Sequence, residues 1–489
     1  VLTRLMHINP KIQFLALSAT IRNAEDVAEW LKAVPVTTEW RPVPLKEGVY
    51  CNGEIHFRDG SARAIQEICG NHVLDIVLDT VNSGGQALIF NETRKASVEM
   101  GKKASLALKK TLSRQEERGL ELLAKKVLET GEKTRLTQIL ADQIRYGAGF
   151  HHAGLATVHR RLVEDAFRNR RLKILSATPT LAAGVNLPAR TVVVGSYMRY
   201  EPGYGRYPIS VLEYKQLSGR AGRPRYDKFG EAVLVALSPD EQDQLMENYV
   251  LAEPERLWSK LAVEKVLRPH VLATIATGYA HTEEGLYDFF GKTFYAFQYG
   301  PKMIRGKIGE ILAYLDKERM TEFRGEKIYA TEFGRRVSEL YIDPVTAVII
   351  RDGLQNRPKA LTDLTLLHLI SHTPDIAPKL YPRRRETDEL SLFAETHSAE
   401  LMFPLPDELI EQAAYEEFLA ELKCSRVLLD WIDEVTEDGI LNRHKVEPGD
   451  LLRLVEMADW LLYASHELTK LFGYKDLLSQ MAGLRLRIE

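Results

Sequence analysis

Five runs of contiguous apolar residues mark the middle of the chain: Gln86–Phe90, Gly147–His151, Lys173–Ala177, Thr191–Val194 and Ala232–Leu237. Unbroken rather than alternating hydrophobicity predicts strands buried on both faces, as in a parallel sheet. From Ala64 to Leu237 these runs alternate with helical stretches, including the polar Lys- and Glu-rich segment Ser105–Leu140, so helices should cover the sheet. Upstream, Phe14–Leu17 within KIQFLALSAT (Lys11–Thr20) reads as another buried parallel strand, and Ala24–Leu31 as a short helix with Asn23 as its N-cap. Pro35, Pro42 and Pro44 make Val34–Pro44 a linker. Downstream, Leu257–Gly278 reads as helical, and Ile304–Ala330 as a helix followed by a hairpin about Arg324-Gly325, in the manner of a winged helix. From Pro344 the pattern is almost wholly helical, broken at the proline- and arginine-rich Lys379–Arg385.

The fold class expected is therefore multidomain: a parallel α/β domain, a winged-helix domain and an α-helical domain. The expected boundaries are 1–45 (a strand remnant and linker), 46–245, 246–345 and 346–489. A chain that opens without Met and runs at once into a buried strand reads as starting inside a larger protein.

Composition changes this picture little. With 489 residues, 45% hydrophobic and 27% charged, the chain is ordinary globular protein. A net charge of −3 gives no global basic signal, so any polyanion must be held by local patches. Cys51, Cys69 and Cys424 match no zinc spacing and read as reduced thiols of an intracellular protein, cytoplasmic rather than secreted. No metal site, signal peptide or membrane-spanning run is expected.

Three strings carry chemistry. Gln216–Arg223, QLSGRAGR, is followed by Asp227. Arg220 and Arg223 are permanently charged forks suited to phosphate oxygens, as in an arginine finger, although a solvated basic turn is the plainer alternative. Ala177–Pro188, ATPTLAAGVNLP, places Thr178 and Thr180 at the carboxyl end of a strand, where open α/β sheets bind ligands; Gly184 and Asn186 would face a nucleotide. Leu17–Thr20, LSAT, is short, and its weight comes from preceding the other two in order.

Together these strings resemble motifs III, V and VI of superfamily two helicases. Gln86–Lys95, QALIFNETRK, resembles motif IV, and Gly149–Leu155, GFHHAGL, followed by Arg160–Phe167, resembles the additional motif of the Ski-two-like branch. Within that branch the chain is most similar to the archaeal DNA repair helicases related to animal HelQ, through Thr331–Pro344, His368–Asp375 and the helix after Glu447-Pro448-Gly449-Asp450. The resemblance implies a RecA-like α/β domain, a winged helix and a helical ratchet domain. It assigns Gln216, Arg220 and Arg223 to catalysis, and Ser18, Thr20, Gly184, Asn186 and Asp227 to ATP binding or coupling. It assigns Asn91, Thr93, Arg94, His152 and Thr178 to nucleic acid. ATP and Mg2+ are the implied cofactors, single-stranded and forked DNA the implied partners, and 3′-to-5′ unwinding the implied activity.

Two further segments gain meaning from this. Val192–Ser210 has two extended arms about Pro202-Gly203-Tyr204-Gly205 and carries Tyr197, Arg199, Tyr200, Tyr204, Arg206 and Tyr207. Rings on an exposed hairpin can stack on any base, and by resemblance this is the strand-separating hairpin; a plain surface hairpin is the alternative. Asp450–Leu468 is an amphipathic helix, with Asp450 able to cap it and Leu451, Leu454, Val455, Ala458, Leu461, Leu462 and Leu468 as its apolar stripe. Arg453, Glu456, Trp460 and Glu467 align opposite. By resemblance this is the ratchet helix, Arg453 gripping phosphate and Trp460 stacking on a base; packing of Trp460 against a neighbouring domain is the competing reading.

The phosphate-cradling loop and acidic box of the family are not found. Gly285–Thr293 has five residues between its glycines where four are required, and Asp433-Glu434 lies far downstream of LSAT, in a helical region. The chain alone is thus expected to be ATPase-inactive, with the missing elements supplied by a companion polypeptide or by the rest of a longer protein. An RNA helicase of the same branch, or a non-catalytic nucleic-acid-binding fragment, are the alternatives.

Overall fold

A computed structural model describes residues 1–489 except 19, 20, 39, 132, 183, 184, 202–204 and 360; the side chains of 180, 182, 200, 201, 205 and 262 are likewise outside it. Thr20, Gly184 and Tyr204, and the side chains of Thr180 and Tyr200, therefore lie outside the described residues.

Ten strands fall in the first half: β1 (Leu45–Cys51), β2 (Glu54–Phe57), β3 (Ala62–Ala64), β4 (Ala87–Phe90), β5 (Ala148–His151), β6 (Ile174–Ala177), β7 (Thr191–Val194), β8 (Met198–Glu201), β9 (Gly205–Pro208) and β10 (Gly230–Val235). Eight form one sheet, in the order β3-β2-β1-β10-β7-β4-β6-β5. All neighbours from β1 to β5 in that order are parallel, while β2 and β3 complete an antiparallel edge. The five contiguous apolar runs are all strands, and β4, β5, β6 and β7 are buried at every position. Each face carries its own apolar core. One gathers Leu88, Phe90, Phe150, Leu175 and Val192; the other gathers Ile76, Ile89, Ala148, Ile174 and Val193. Alternate residues of one strand thus feed opposite cores, as the period of two requires.

The segment Phe14–Leu17 is not a strand. Its backbone pairs with none among the described residues, and Leu15 and Leu17 are each 86% exposed. A parallel strand is stable only between neighbours, and here none adjoins it. Residues 1–33 are more than a remnant and linker, because two helices dock far along the chain. Leu2–Ile8 places His7 edge-on against Tyr279 and Phe289. Ala24–Leu31 packs Trp30 against Phe294, with the indole N–H donating to the Lys292 carbonyl at 2.8 Å. Asn23 sits at the N-cap position but does not cap; its side chain accepts from the Leu257 amide at 2.7 Å and donates to the Leu257 carbonyl and to Asp26.

In the second half, the predicted helix Leu257–Gly278 is shorter, Glu264–Ala276, preceded by an irregular segment and a short 3-10 turn. Helix Pro301–Lys317 leads into the hairpin β11 (Thr321–Arg324) and β12 (Lys327–Ala330), turning at Gly325 with φ +64°. Gly285 lies within helix Glu283–Phe290, which confirms that Gly285–Thr293 is no phosphate loop, and Asp433-Glu434 closes helix Gln412–Ile432. A single apolar core runs from Leu267 through Ile308 and Val337 to Leu454, Leu461 and Ile488. The hairpin-bearing unit and the helices after Pro344 are therefore packed together around shared apolar residues. The predicted stripe from Leu451 to Leu468 is buried throughout.

Candidate nucleic-acid and nucleotide interface

Because β4, β5, β6 and β7 run parallel, the residues that follow them share one edge of the sheet. Asn91–Arg94 follow β4, His152–Leu155 follow β5, Thr178 follows β6, and the hairpin β8–β9 follows β7. At this edge Asn91 is buried, and its amide donates to the Ser176 hydroxyl at 2.9 Å. Thr93 caps helix Arg94–Leu108 by accepting from the Ala96 amide. Both side chains do structural work here, which the sequence-based assignment to nucleic acid did not foresee. Thr178 is buried, its amide donating to the His151 carbonyl at 3.2 Å.

Arg94 does not face solvent freely. Its guanidinium reaches across to the start of helix Pro448–Leu471, pairing with Glu447 at 2.7 Å and with both oxygens of Asp450, one at 3.1 Å. These two carboxylates hold its pKa above the ordinary value despite burial. Asp450 is thus not the cap of that helix, as its position suggested. It lies inside the first turn, and Glu447 occupies the N-cap without a side-chain bond. The loop after β5 seals the same joint. The Gly449 amide donates to the Gly154 carbonyl at 2.9 Å, and His152 Nδ1 lies 3.7 Å from Glu447. Both glycines are needed: a Cβ on Gly449 would stand 2.0 Å from the Ala153 carbonyl oxygen, and one on Gly154 would overlap the Glu447 carboxylate. His152 is fully buried. Burial first, then the nearby Arg94 charge, hold its imidazole down at about 3, and its Nδ1 accepts the Gly154 amide.

The hairpin β8–β9 is antiparallel and tethered at its base. Tyr197 turns inward, its hydroxyl donating to Glu241 at 3.1 Å and its ring beside Tyr249. Arg199 pairs with Glu213 at 3.1 Å, and Arg206 forms a fork on Glu92 at 2.7 and 2.8 Å. Tyr207 is half-buried.

The motif Gln216–Arg223 lies at the opposite edge of the sheet. The Gly222 amide donates to the Ala189 carbonyl, just before β7, and Gly222 adopts φ +93°. Arg223 is no open finger. It is 6% exposed, its Nε and Nη2 bind both oxygens of Asp227 at 2.6 and 2.7 Å, and its Nη1 donates to Gln86 Oε1 at 2.7 Å. Asp227, expected at the nucleotide, is the partner that holds Arg223. Arg220 is half-buried and Gln216 exposed. Ser18, in the exposed N-terminal segment, lines a cavity of about 1290 Å3 with Arg41, Lys215, Ser218 and Gly219. Asn186, after β6, is exposed.

Along helix Pro448–Leu471, the stripe Arg453, Trp460 and Glu467 is engaged rather than open. Arg453 donates to the Pro378 carbonyl at 2.8 Å, the Trp460 indole N–H to the Leu340 carbonyl at 3.1 Å, and Glu467 pairs with Arg336. Trp460 also packs against the shared core. The packing reading of Trp460 is therefore the one its contacts favour. A helical wheel shows one apolar stripe, but it does not count the neighbours on the polar side.

The residues that sequence reasoning missed are the acidic partners: Glu92, Glu213, Glu447 and Asp450, with Gln86 as a hub. Glu447-Pro448-Gly449-Asp450 was visible as a string, yet nothing in it points to Arg94, 353 residues away. Among the described residues no group of His, Cys, Asp and Glu could hold a metal, and no helix is long and apolar enough to cross a membrane.

Two protein families match the chain: the helicase conserved C-terminal domain over residues 124–225, and archaeal helicase, domain 4 over residues 364–489. The chain is 41% identical to the ATP-dependent DNA helicase Hel308 of Methanocella arvoryzae, across 96% of this chain and 64% of that protein. It is 38% identical to the protein of that name from Caldivirga maquilingensis and 36% to that from Pyrococcus horikoshii, across 99% and 98% of this chain and 65% of each relative. The chain spans just under two thirds of the length of these relatives.

Proposed function

The chain belongs to the archaeal Hel308 helicases of the Ski-two-like branch of superfamily two, and from that premise we propose that it is the portion of an ATP-dependent DNA helicase that grips single-stranded DNA and couples it to the motor. In this reading 46–245 is the second RecA-like domain, 246–345 the winged helix and 346–489 the ratchet domain. The whole protein moves 3′ to 5′ along one strand and parts the duplex at the hairpin β8–β9. ATP and Mg2+ act at the edge that carries Ser18 and Gln216–Arg223, with Arg220 reaching the phosphates. What supplies chemistry there is hydrolysis of the terminal phosphate; this chain contributes charge and coupling.

The single observation that carries the reading is the joint at the carboxyl edge of the sheet. The start of helix Pro448–Leu471 is clamped by Arg94 and by the loop His152–Leu155. A displacement of the α/β domain would therefore be transmitted to the helix without a flexible intermediate.

Titration of the 489-residue chain with fluorescent oligodeoxythymidine tests it. Binding should occur and weaken steeply with salt, because phosphate contacts release counterions at a slope of about 0.7 per contact for single strands. No binding at low salt, or affinity indifferent to salt, refutes the proposal. Preference for an RNA strand of equal length would replace DNA by RNA. The same chain should hydrolyse no ATP above background.

A further inference from the structure

The segment Lys379–Arg385 is held with unusual firmness for a loop. Lys379 is nearly buried and pairs with Glu417 at 2.8 Å and Glu421 at 2.6 Å. The Leu380 amide donates to Cys424 Sγ, and buried Lys423 reaches the Tyr381 carbonyl at 3.5 Å. The Pro378 carbonyl before it accepts from Arg453. What this anchoring presents is a run of three exposed arginines, Arg383, Arg384 and Arg385. They open helix Arg384–Thr396, whose N-terminal dipole disfavours cations. Arg383 donates to the Lys445 carbonyl, two residues before the joint at Glu447. Arg384 and Arg385 make no ion pair or hydrogen bond among the described residues. Of the nearby carboxylates, Glu386 holds Lys423 and Glu389 holds Arg426, while exposed Asp388 forms no ion pair among the described residues. Three guanidiniums are thus placed where they repel one another and oppose a helix dipole, next to the start of helix Pro448–Leu471 and to Arg453. A cost of that kind is offset when an anion arrives.

We infer that Arg383, Arg384 and Arg385 form a phosphate-binding patch that takes the sugar-phosphate backbone of the single strand near the start of helix Pro448–Leu471. This rests on the single-strand reading above. Guanidinium forks suit consecutive phosphates, and Arg384 also borders a cavity of about 510 Å3 with Tyr381 and Pro382. Glu408 and Glu416, which line the same cavity, would repel phosphates from their part of it.

The test compares the 489-residue chain with its Arg384→Ala/Arg385→Ala variant, in oligodeoxythymidine binding across a salt series. The expected result is a salt slope smaller by roughly 1.4, two contacts at about 0.7 each. The two affinities should converge at high salt, and the melting temperature should be unchanged because both side chains are exposed. Arg384→Lys/Arg385→Lys should keep most of the slope. Absence of binding by the unaltered chain would overturn the single-strand reading itself. Normal binding by the unaltered chain, with an identical slope in the alanine variant, would overturn only the patch and leave the arginines to a protein partner.

Discussion

A guanidinium at 6% exposure survives only if its donors are satisfied, and Arg223 satisfies its own through Asp227 and Gln86. Asp227→Ala should therefore cost about 3 kcal/mol of stability, read as a lowered urea midpoint, by leaving a buried charge unpaired. Arg220 is half-buried. On the proposed reading, Arg220→Ala in the full-length protein should cut ATP turnover by roughly 3–5 decades. Equal loss of turnover with a collapse in stability would give Arg220 a structural role instead. The buried histidines add a pH dependence. His152, down at about 3, and His368, down at about 4, both owe the shift first to burial. Each accepts a backbone amide at Nδ1, which requires that nitrogen to be bare. Unfolded histidine titrates near 6.5, so below about pH 6.5 the unfolded chain binds protons that the folded chain refuses. Stability is fully present above that pH and declines as pH falls toward 3–4, by up to about 2 kcal/mol for each group by pH 5. Urea midpoints at pH 7.5 and pH 5 should show this, and His368→Gln should flatten part of the fall.

At the scale of elements, continuous apolar runs betrayed their strands, while mixed ones did not. Leu45–Cys51 was passed over because LKEGVYC carries two charges. Yet Glu47 is buried there because Lys215 answers it at 3.0 Å, and Gly48 lets β2 approach closely. Phe14–Leu17 was read as a strand because burial in a parallel sheet is a property of neighbours, which a local pattern assumes rather than demonstrates. The candidate site was legible as a set of strings, and its grouping followed from parallel strand order. Its ion pairs were not legible, since Arg94 and Asp450 meet only through the fold. That joint makes a prediction of its own. Arg94→Ala leaves Glu447 and Asp450 crowded together, and Gly449→Ala drives a methyl into the Ala153 carbonyl. Either change should speed amide hydrogen exchange in both 152–156 and 447–455, while β4 to β7 stay protected. Unchanged exchange at 447–455 would show that the helix start is held by other contacts.

On the scale of the whole molecule, two core systems divide the chain. The sheet has cores on its two faces, and most of the remainder shares a core from Leu267 to Ile488, with a smaller cluster about Leu390 and Phe418 beside it. Contact between them runs in part through a polar joint of Arg94, Glu447, Asp450 and two glycines. Calorimetry should resolve two unfolding units. The boundary should sit between the sheet and residue 257, and no third transition should part the β11–β12 hairpin from the helices after Pro344. A separate melting of that hairpin unit would contradict the shared core.

The shared core also fixes where such a machine can bend. On the proposed reading, a body whose main core links Leu267 to Ile488 would move largely as one piece, with its stroke set at its bearings. One bearing is the polar joint at Glu447. Another is the docking of Trp30 and His7 on the helices around Phe289 and Phe294, which ties the earliest residues of the chain to the same body. A lever held at two points turns about the line between them, and in the proposed motor that line, more than any single side chain, would decide how far the helix Pro448–Leu471 travels in each cycle.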